Sequence, residues 1–176
     1  MTLTEPARQV PLYGEYDVVV LGGGPAGILA AASAARNGAS VLLVERYGFL
    51  GGMGTAAGVS NFCGLHANVR GAIRQVVHGM TDELLDRMRA LDGLNDPHLI
   101  LGKIHAQAYD IAAFKCAADG MVQDSGAQIL FHALATGLAR DAAGNVDALF
   151  LETKSGRFAV RGKVFIDCSG DADIAQ

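Results

Sequence analysis

The glycine-rich segment at residues 22–27, Gly-Gly-Gly-Pro-Ala-Gly, has the residue types and spacing that point most directly to chemistry. Gly22 permits a tight turn, Gly24 carries no side chain that would keep an anion from the backbone, and Gly27 permits close packing of a helix on a strand. Pro25 is typical of the first position of a helix, where free N–H groups attract phosphates. The segment is therefore predicted to bind the pyrophosphate of a dinucleotide.

The elements around this segment have to hold it in place. Residues 16–21 are a short apolar run, which is typical of a strand buried on both faces. Residues 26–37 are rich in alanine and predict a helix that ends at Gly38, and residues 40–45 predict a second buried strand. Strand, glycine turn, helix and strand in this order predict a βαβ unit.

Glu45 ends the second predicted strand and is a candidate ligand for a ribose. A carboxylate there can accept hydrogen bonds from both ribose hydroxyls, and it disfavours the 2′-phosphate of NADP. Ala31 supplies the small side chain that is needed where the helix packs on the sheet. These residues predict an adenine dinucleotide and leave the choice between NAD and FAD open.

Composition excludes several functional classes. With 14 basic and 18 acidic residues the net charge is −4, which predicts neither a nucleic-acid surface nor a polybasic membrane patch. Residues 18–35 carry no charge, but their glycines and proline break the run, so no membrane span is predicted. The N-terminus does not resemble a signal peptide, and Cys63, Cys116 and Cys168 are too few and too widely spaced for a disulfide framework or a zinc site. A cytoplasmic protein without a metal site is expected.

The rest of the chain predicts a glycine-rich loop, two helices and a run of strands. The loop covers residues 46–69 and is expected to line a site, because it is too long for a simple connection. Apolar spacing predicts helices over residues 72–91 and 106–124, with a loop at 94–105. The later strands are predicted at residues 128–131, 133–140, 146–153, 157–160 and 163–167.

Two further segments carry a resemblance to a known family. Residues 45–55, Glu-Arg-Tyr-Gly-Phe-Leu-Gly-Gly-Met-Gly-Thr, resemble the segment after the second strand in FAD-dependent oxidoreductases of the glutathione-reductase-like superfamily. Residues 165–173 resemble a strand and turn that its members usually write as Ile-Asp-Ala-Thr-Gly-Asp-Ala-Asp, with Cys168 and Ser169 in place of Ala and Thr. Residues 69–93 are similar to a helix of one bacterial branch, and residues 126–165 to the family's β-meander.

The resemblance implies FAD as the cofactor and assigns contacts along it. The fold class it implies is a Rossmann-like α/β FAD-binding domain with a parallel sheet, two extra helices and a β-meander. It places Glu45 and Arg46 at the adenosine. The other implied cofactor-binding residues are Gly22, Gly24, Pro25, Ala26 and Gly27 at the pyrophosphate, Gly52 and Met53 nearer the flavin, and Ala135, Ser169 and Gly170 on the adenine side.

Members of this branch are much longer, so the resemblance implies that the chain is their N-terminal part. The substrate domain and a C-terminal flavin cradle are absent, and residues 171–176 look like the first turn of an interrupted helix. We expect an arm at residues 1–15, an incomplete FAD-binding domain at 16–176, and a second polypeptide or a missing C-terminal part that completes the site for a small organic substrate. The alternatives are a non-catalytic adenine-dinucleotide-binding subunit and an NAD-dependent dehydrogenase.

No residue is predicted to be catalytic. Cys63 and His66 lie three positions apart in the predicted loop and could form a redox thiol or a proton relay, but a small packed thiol and a loop histidine are favoured. Asp171 and Asp173 are interpreted as acids that cap a helix N-terminus rather than as metal ligands.

Overall fold

The computed structural model describes residues 2–4 and 6–175. The described residues form eleven strands and three α-helices. The strands are β1 Leu12–Leu21, β2 Val41–Val44, β3 Asn61–Cys63, β4 His66–Val69, β5 Ala72–Gln75, β6 His98–Ile100, β7 Ile104–Ala108, β8 Gln128–Leu130, β9 Leu134–Arg140, β10 Val146–Thr153 and β11 Gly156–Asp167. The helices are α1 Pro25–Arg36, α2 Met80–Ala90 and α3 Ile111–Asp124.

A six-stranded sheet organises the molecule, in the order β8-β2-β1-β11-β10-β9. The first four strands in this order are parallel, and β10 and β9 continue from β11 as an antiparallel meander. Parallel strands joined through helices, followed by a meander, match the predicted Rossmann-like fold class with its two extra helices. That prediction is confirmed.

The βαβ unit β1–α1–β2 forms where the sequence predicts it, because its strands are buried on both faces. Val19 and Val20 are fully buried in β1, and all four residues of β2 are buried. Pro25 occupies the start of α1, and Gly38, with a φ of +88°, ends the helical path. Strand β1 begins at Leu12, four residues before its predicted start, because its first residues pair with β11.

Two apolar layers cover the main sheet. Helices α1, α2 and α3 pack on one face, where Ile28, Met88, Phe114 and Met121 are fully buried. The meander curls over the other face and buries Leu149. The sheet is therefore enclosed on both sides near the carboxyl ends of β1 and β2, as parallel strands require.

Strand β11 is one continuous element where the sequence predicted two strands. Strand β10 pairs with it from Gly156 to Arg161, and β1 pairs with it from Ala159 to Asp167. The polar stretch at residues 161–163 looked like a break, but these residues remain extended because β1 holds them. The first half of β11 thus belongs to the meander and the second half to the parallel sheet.

The predicted loop at residues 46–69 has structure of its own. It contains a short 3-10 turn at Gly52–Gly54 and the strands β3 and β4. The predicted loop at 94–105 likewise contains β6 and the start of β7.

Both predicted helices in the middle of the chain begin later than expected. The helix predicted at 72–91 starts at Met80, because Ile73, Val76 and Val77 are exposed instead of packing on the core. The helix predicted at 106–124 starts after Asp110, whose carboxylate accepts the Ala113 N–H at 2.8 Å as the N-terminal cap.

Two hairpins stand apart from the main sheet, and we call them together the hairpin lobe. They are residues 66–75, which contain β4 and β5, and residues 98–108, which contain β6 and β7. Strand β3 pairs with β7, and β4 packs against β7, so the two hairpins are in contact. Among the helices of the described residues, none is long and apolar enough to cross a membrane.

Candidate cofactor site

A cavity of about 460 Å³ opens at the carboxyl ends of the parallel strands, beside the glycine loop. This is the crevice in which open α/β sheets bind their ligands. Its lining contains every predicted cofactor-binding residue except Gly27. These residues are Gly22, Gly24, Pro25, Ala26, Glu45, Arg46, Gly52, Met53, Ala135, Ser169 and Gly170.

The three glycines of the motif have different surroundings. Gly22 has a φ of +99°, and a Cβ there would collide with the Cys168 carbonyl group. At Gly27 a Cβ would collide with the Gly22 carbonyl oxygen, so this glycine serves the packing of α1 on the loop and lies outside the cavity lining. A Cβ at Gly24 would meet only the Gly52 Cα, at 3.8 Å. The protein therefore tolerates a side chain at Gly24, and the space in front of it is available to a ligand.

The N-terminus of α1 faces this cavity without a capping group. Gly24 is its N-cap residue, and within the described part of the chain no side chain caps the helix and no acid lies in its first turn. Its free N–H groups and its partial positive charge suit an anion.

Glu45 is buried and already bound to the protein backbone. Its two carboxylate oxygens accept the N–H groups of Gly23 and Tyr47, each at 2.7 Å, and its side chain is 5% exposed. A carboxylate has four acceptor sites, so two remain for hydroxyl groups of a ligand. Glu45 thus joins the glycine loop to the segment after β2 and offers acceptors to the cavity.

The segment after β2 forms the opposite wall of the cavity. The Gly51 N–H donates to the Gly23 carbonyl oxygen at 2.8 Å, and Thr55 donates its hydroxyl to the Leu50 carbonyl at 2.8 Å. Met53 is 69% exposed at the rim, although it lines the cavity. The predicted Gly52 and Met53 positions are therefore held by backbone contacts with the glycine loop.

The turn after β11 is organised by Asp167, not by the two acids that sequence analysis assigned to helix capping. Asp167 accepts the Ser169 hydroxyl at 2.6 Å and the Ile174 N–H at 2.9 Å, and the Ser169 hydroxyl accepts the Asp173 N–H. Burial alone would raise the pKa of Asp167, but these hydrogen bonds outweigh burial and lower it. Residues 173–175 form a turn, and the interpretation of Asp171 and Asp173 as capping acids stays a prediction.

Several lining residues were missed by sequence analysis. Ala133 and Leu134 follow β8, and the rule that carboxyl ends of parallel strands line the site could have found them. Tyr47 directly follows the predicted adenosine contacts. The other missed residues are Leu21, Val44, Gly54, Ala56, Ala57, Cys168, Asp171 and Asp173.

Cys63 and His66 do not form a pair. They lie on successive strands, and among the described residues no hydrogen bond joins them. Burial lowers the pKa of His66, with smaller contributions from His105 and Arg89. The neighbour of His66 is thus a histidine on β7, which the sequence could not indicate. The absence of a Cys63–His66 pair agrees with the favoured interpretation, but its details are wrong, because Cys63 is exposed rather than packed and His66 lies on β4 rather than in a loop.

Comparison with known protein families identifies the family of this chain. The sequence profile of the family described as FAD dependent oxidoreductase matches residues 17–176. The chain belongs to this family. FAD is the cofactor of FAD dependent oxidoreductases, so the predicted family and the predicted cofactor are both confirmed. The match favours FAD over NAD.

Individual relatives of this chain are similar over shorter stretches. A dihydrolipoyl dehydrogenase of Trypanosoma brucei brucei is 51% identical over 45 residues, which cover 26% of this chain and 9% of the relative. A soluble pyridine nucleotide transhydrogenase of Mycobacterium tuberculosis (strain ATCC 25177 / H37Ra) is 35% identical over 92 residues, 51% of this chain and 20% of the relative. The matched stretch is therefore a small part of each of these relatives.

Solved structures share the fold at low sequence identity. THI4 of Thermovibrio ammonificans superposes with a TM-score of 0.56 at 19% identity and covers 87% of this chain and 57% of its own. The 3-ketosteroid-delta4-(5alpha)-dehydrogenase of Rhodococcus jostii RHA1 gives a TM-score of 0.53 at 17% identity, with coverages of 88% and 46%. The chain thus spans about half the length of these two structures.

Proposed function

We propose that this chain is the FAD-binding portion of a flavin-dependent oxidoreductase that oxidises a small organic substrate by hydride transfer. The observation that carries the proposal is the cavity at the uncapped N-terminus of α1, where Gly24 leaves room for a ligand and Glu45 offers acceptors. Bound FAD would supply the redox chemistry, while the protein supplies position and electrostatics.

The residues of the cavity suit different parts of the cofactor. The free N–H groups at the start of α1, together with Gly22, Gly24, Pro25 and Ala26, would hold the pyrophosphate, with Gly27 keeping the helix close to the loop.

At the adenosine end, Glu45 would accept ribose hydroxyls, and Arg46 would lie beside it. The backbone at Ala135 and the turn Ser169–Gly170 would close the adenine side.

Gly52 and Met53 are assigned to the flavin end. Met53 is 69% exposed, so this end of the cavity is open to solvent or to a further polypeptide. Substrate contacts are expected from that side.

Replacement of Gly24 by alanine separates cofactor binding from folding. The new methyl group fits the protein but occupies the space in front of the loop, so Gly24→Ala should weaken FAD binding by at least about tenfold. Flavin released on denaturation, measured by absorbance, reports occupancy, and urea unfolding of the FAD-free chain should show unchanged stability. Glu45→Gln should also lower occupancy, with some loss of stability because one of the N–H groups of Gly23 and Tyr47 would then face the amide NH2 group instead of an acceptor. Full occupancy in Gly24→Ala would contradict the proposal.

We further propose that a second polypeptide segment completes the flavin and substrate sites and adds a strand to β11. Strand β10 pairs with β11 only up to Arg161. Among residues 2–4 and 6–175, no strand pairs with residues 162–167 of β11 on the edge that faces away from β1. Val164 in this stretch is 52% exposed. Unpaired edges are natural docking sites for a strand. The chain's partial coverage of its solved neighbours supports the same proposal.

Hydrogen exchange tests this partner site. In a complex of this chain with the polypeptide that co-purifies with it, the amides of residues 162–167 should exchange more slowly than in the isolated chain, while those of β2, paired on both sides, should not change. Equal exchange in both samples would refute strand addition at this edge.

The cytoplasm is the compartment we propose, supported by three cysteines that are all unpaired. The division into an arm at residues 1–15 and an FAD-binding domain at 16–176 stays a prediction, although β1 begins inside the arm.

A further inference from the structure

Charge is distributed very unevenly between the hairpin lobe and the rest of the chain. Residues 46–81 and 97–109 contain no Asp or Glu, so all 18 acids lie elsewhere, whereas these two segments hold Arg46, Arg70, Arg74 and Lys103. The net charge of −4, which predicted no basic surface, is therefore the sum of an acidic body and a basic lobe.

The cations of the hairpin lobe make no ion pair among the described residues. Arg70, Arg74 and Lys103 are exposed, and none of them has an ion pair within the described part of the chain. Several cations of the rest of the chain are paired instead, as Arg36 is with Glu83 at 2.6 Å and Lys163 with Asp17 at 2.6 Å. Three uncompensated positive charges therefore point away from the body of the protein.

Exposed aliphatic side chains accompany these cations. Leu101, at the turn between β6 and β7, is 86% exposed, and Leu99 and Ile104 beside it are about half exposed. On the other hairpin, Ile73 is 48% exposed next to Arg74. Contiguous exposed apolar side chains mark sites of interaction with proteins or membranes.

The tips of both hairpins carry unusual residues for their backbone conformation. Arg70 and Leu101 have φ values of 53° and 52°, a left-handed region that Asn or Gly adopts at lower cost. The stability of the fold alone would therefore favour neither Arg70 nor Leu101 at these two positions.

Charge and shape together select an occupant for this surface. We propose that the hairpin lobe is a docking surface for an anionic lipid bilayer, with the aliphatic side chains at the tips entering the interface and Arg70, Arg74 and Lys103 facing the lipid phosphates. Apolar side chains that enter the headgroup region, flanked by cations, are the chemistry by which proteins attach peripherally to anionic membranes.

Other occupants fit less well. A second copy on a two-fold axis would place the three unpaired cations against the same three cations. A surface that binds a protein partner is expected to present aromatic anchors. Trp, Tyr and Arg carry most of the binding energy in protein interfaces, whereas Leu and Val are under-represented there. No Phe, Tyr or Trp lies in either hairpin, 66–75 or 98–108.

Vesicle sedimentation tests the proposal with the whole chain. The protein should sediment with vesicles of phosphatidylcholine and phosphatidylserine, but not with phosphatidylcholine alone, and added salt should release it. Each cation near an anionic surface contributes about 1 kcal/mol, so Lys103→Gln should weaken binding about fivefold. Leu101→Ser should weaken it as well, and both variants should keep their FAD, since neither residue lines the cavity.

Lys154 provides the matched control, because it is an exposed lysine in the turn before β11 that also lacks an ion pair among the described residues. Lys154→Gln should bind the vesicles as the unmodified chain does. No sedimentation with anionic vesicles, or equal loss in Lys154→Gln and Lys103→Gln, would overturn the proposal. A dimer seen by sedimentation velocity without lipid and abolished by Leu101→Ser would assign the surface to a second copy instead.

Discussion

The glycine loop and the hairpin lobe are both built on turns of positive φ, yet their glycines are there for different reasons. In the loop, a Cβ at Gly22 would collide with the Cys168 carbonyl group of a distant segment, and a Cβ at Gly27 would collide with the Gly22 carbonyl oxygen. In the lobe, a Cβ at Gly71 or Gly102 would find no atom within 4 Å. The loop is thus shaped by tertiary packing, whereas each hairpin tip is shaped by its own turn, and the two regions should respond differently to the same substitution.

The largest expected difference is between Gly27→Ala and Gly102→Ala. The first should lower the free energy of unfolding by about 3 kcal/mol, because the methyl group forces α1 away from the Gly22 carbonyl. The second should lose only about 1 kcal/mol, the cost of a left-handed alanine. Urea unfolding of both variants measures the contrast, and equal losses would show that packing does not distinguish the two regions.

Tyr109 directly follows the second hairpin and joins it to the wall of the cavity. It donates to the carbonyls of Gly54 in the cavity wall and Val59 before β3, and burial raises its pKa to about 12. Tyr109→Phe should lower stability by about 1.5 kcal/mol, because two buried carbonyls lose their donor. Thermal unfolding would measure this, and Tyr13→Phe, at an exposed tyrosine on β1, should change nothing.

The smallest expected effect is a gain. Arg70→Asn places a residue suited to a left-handed turn at the tip of the first hairpin, so stability should rise by less than about 1 kcal/mol. Chemical denaturation would detect the increase, and the same variant should bind anionic vesicles more weakly. A loss of stability would mean that the Arg70 side chain contributes to the fold in a way that its exposed position does not indicate.

The same contrast explains what the sequence could predict. The βαβ unit and the meander were predictable because buried strands of Val and Leu, glycine turns and Pro25 all indicate one structure. Predicted ligands such as Gly24 and Glu45 came together in the cavity because a fixed motif positions them.

The lobe was not predictable by these means. Ile73, Val76 and Val77 have helical spacing, but spacing indicates a helix only if those residues face a core, and here they face solvent. The contribution of Ala133 and Leu134 to the cavity depends on β8 being placed beside β2, a contact between distant segments.

The long strand β11 also bears on how the protein is made. Its pairing with β1 brings together residues as far apart as Asp17 and Lys163, which are 146 positions apart in the chain. On the ribosome, β1 and the glycine loop emerge early and have no parallel neighbour on that side until β11 has left the exit tunnel. During this interval the apolar strand β1 is exposed to chaperones and to aggregation, and the cofactor crevice gains its Ser169–Gly170 wall only at the end of synthesis of the described residues.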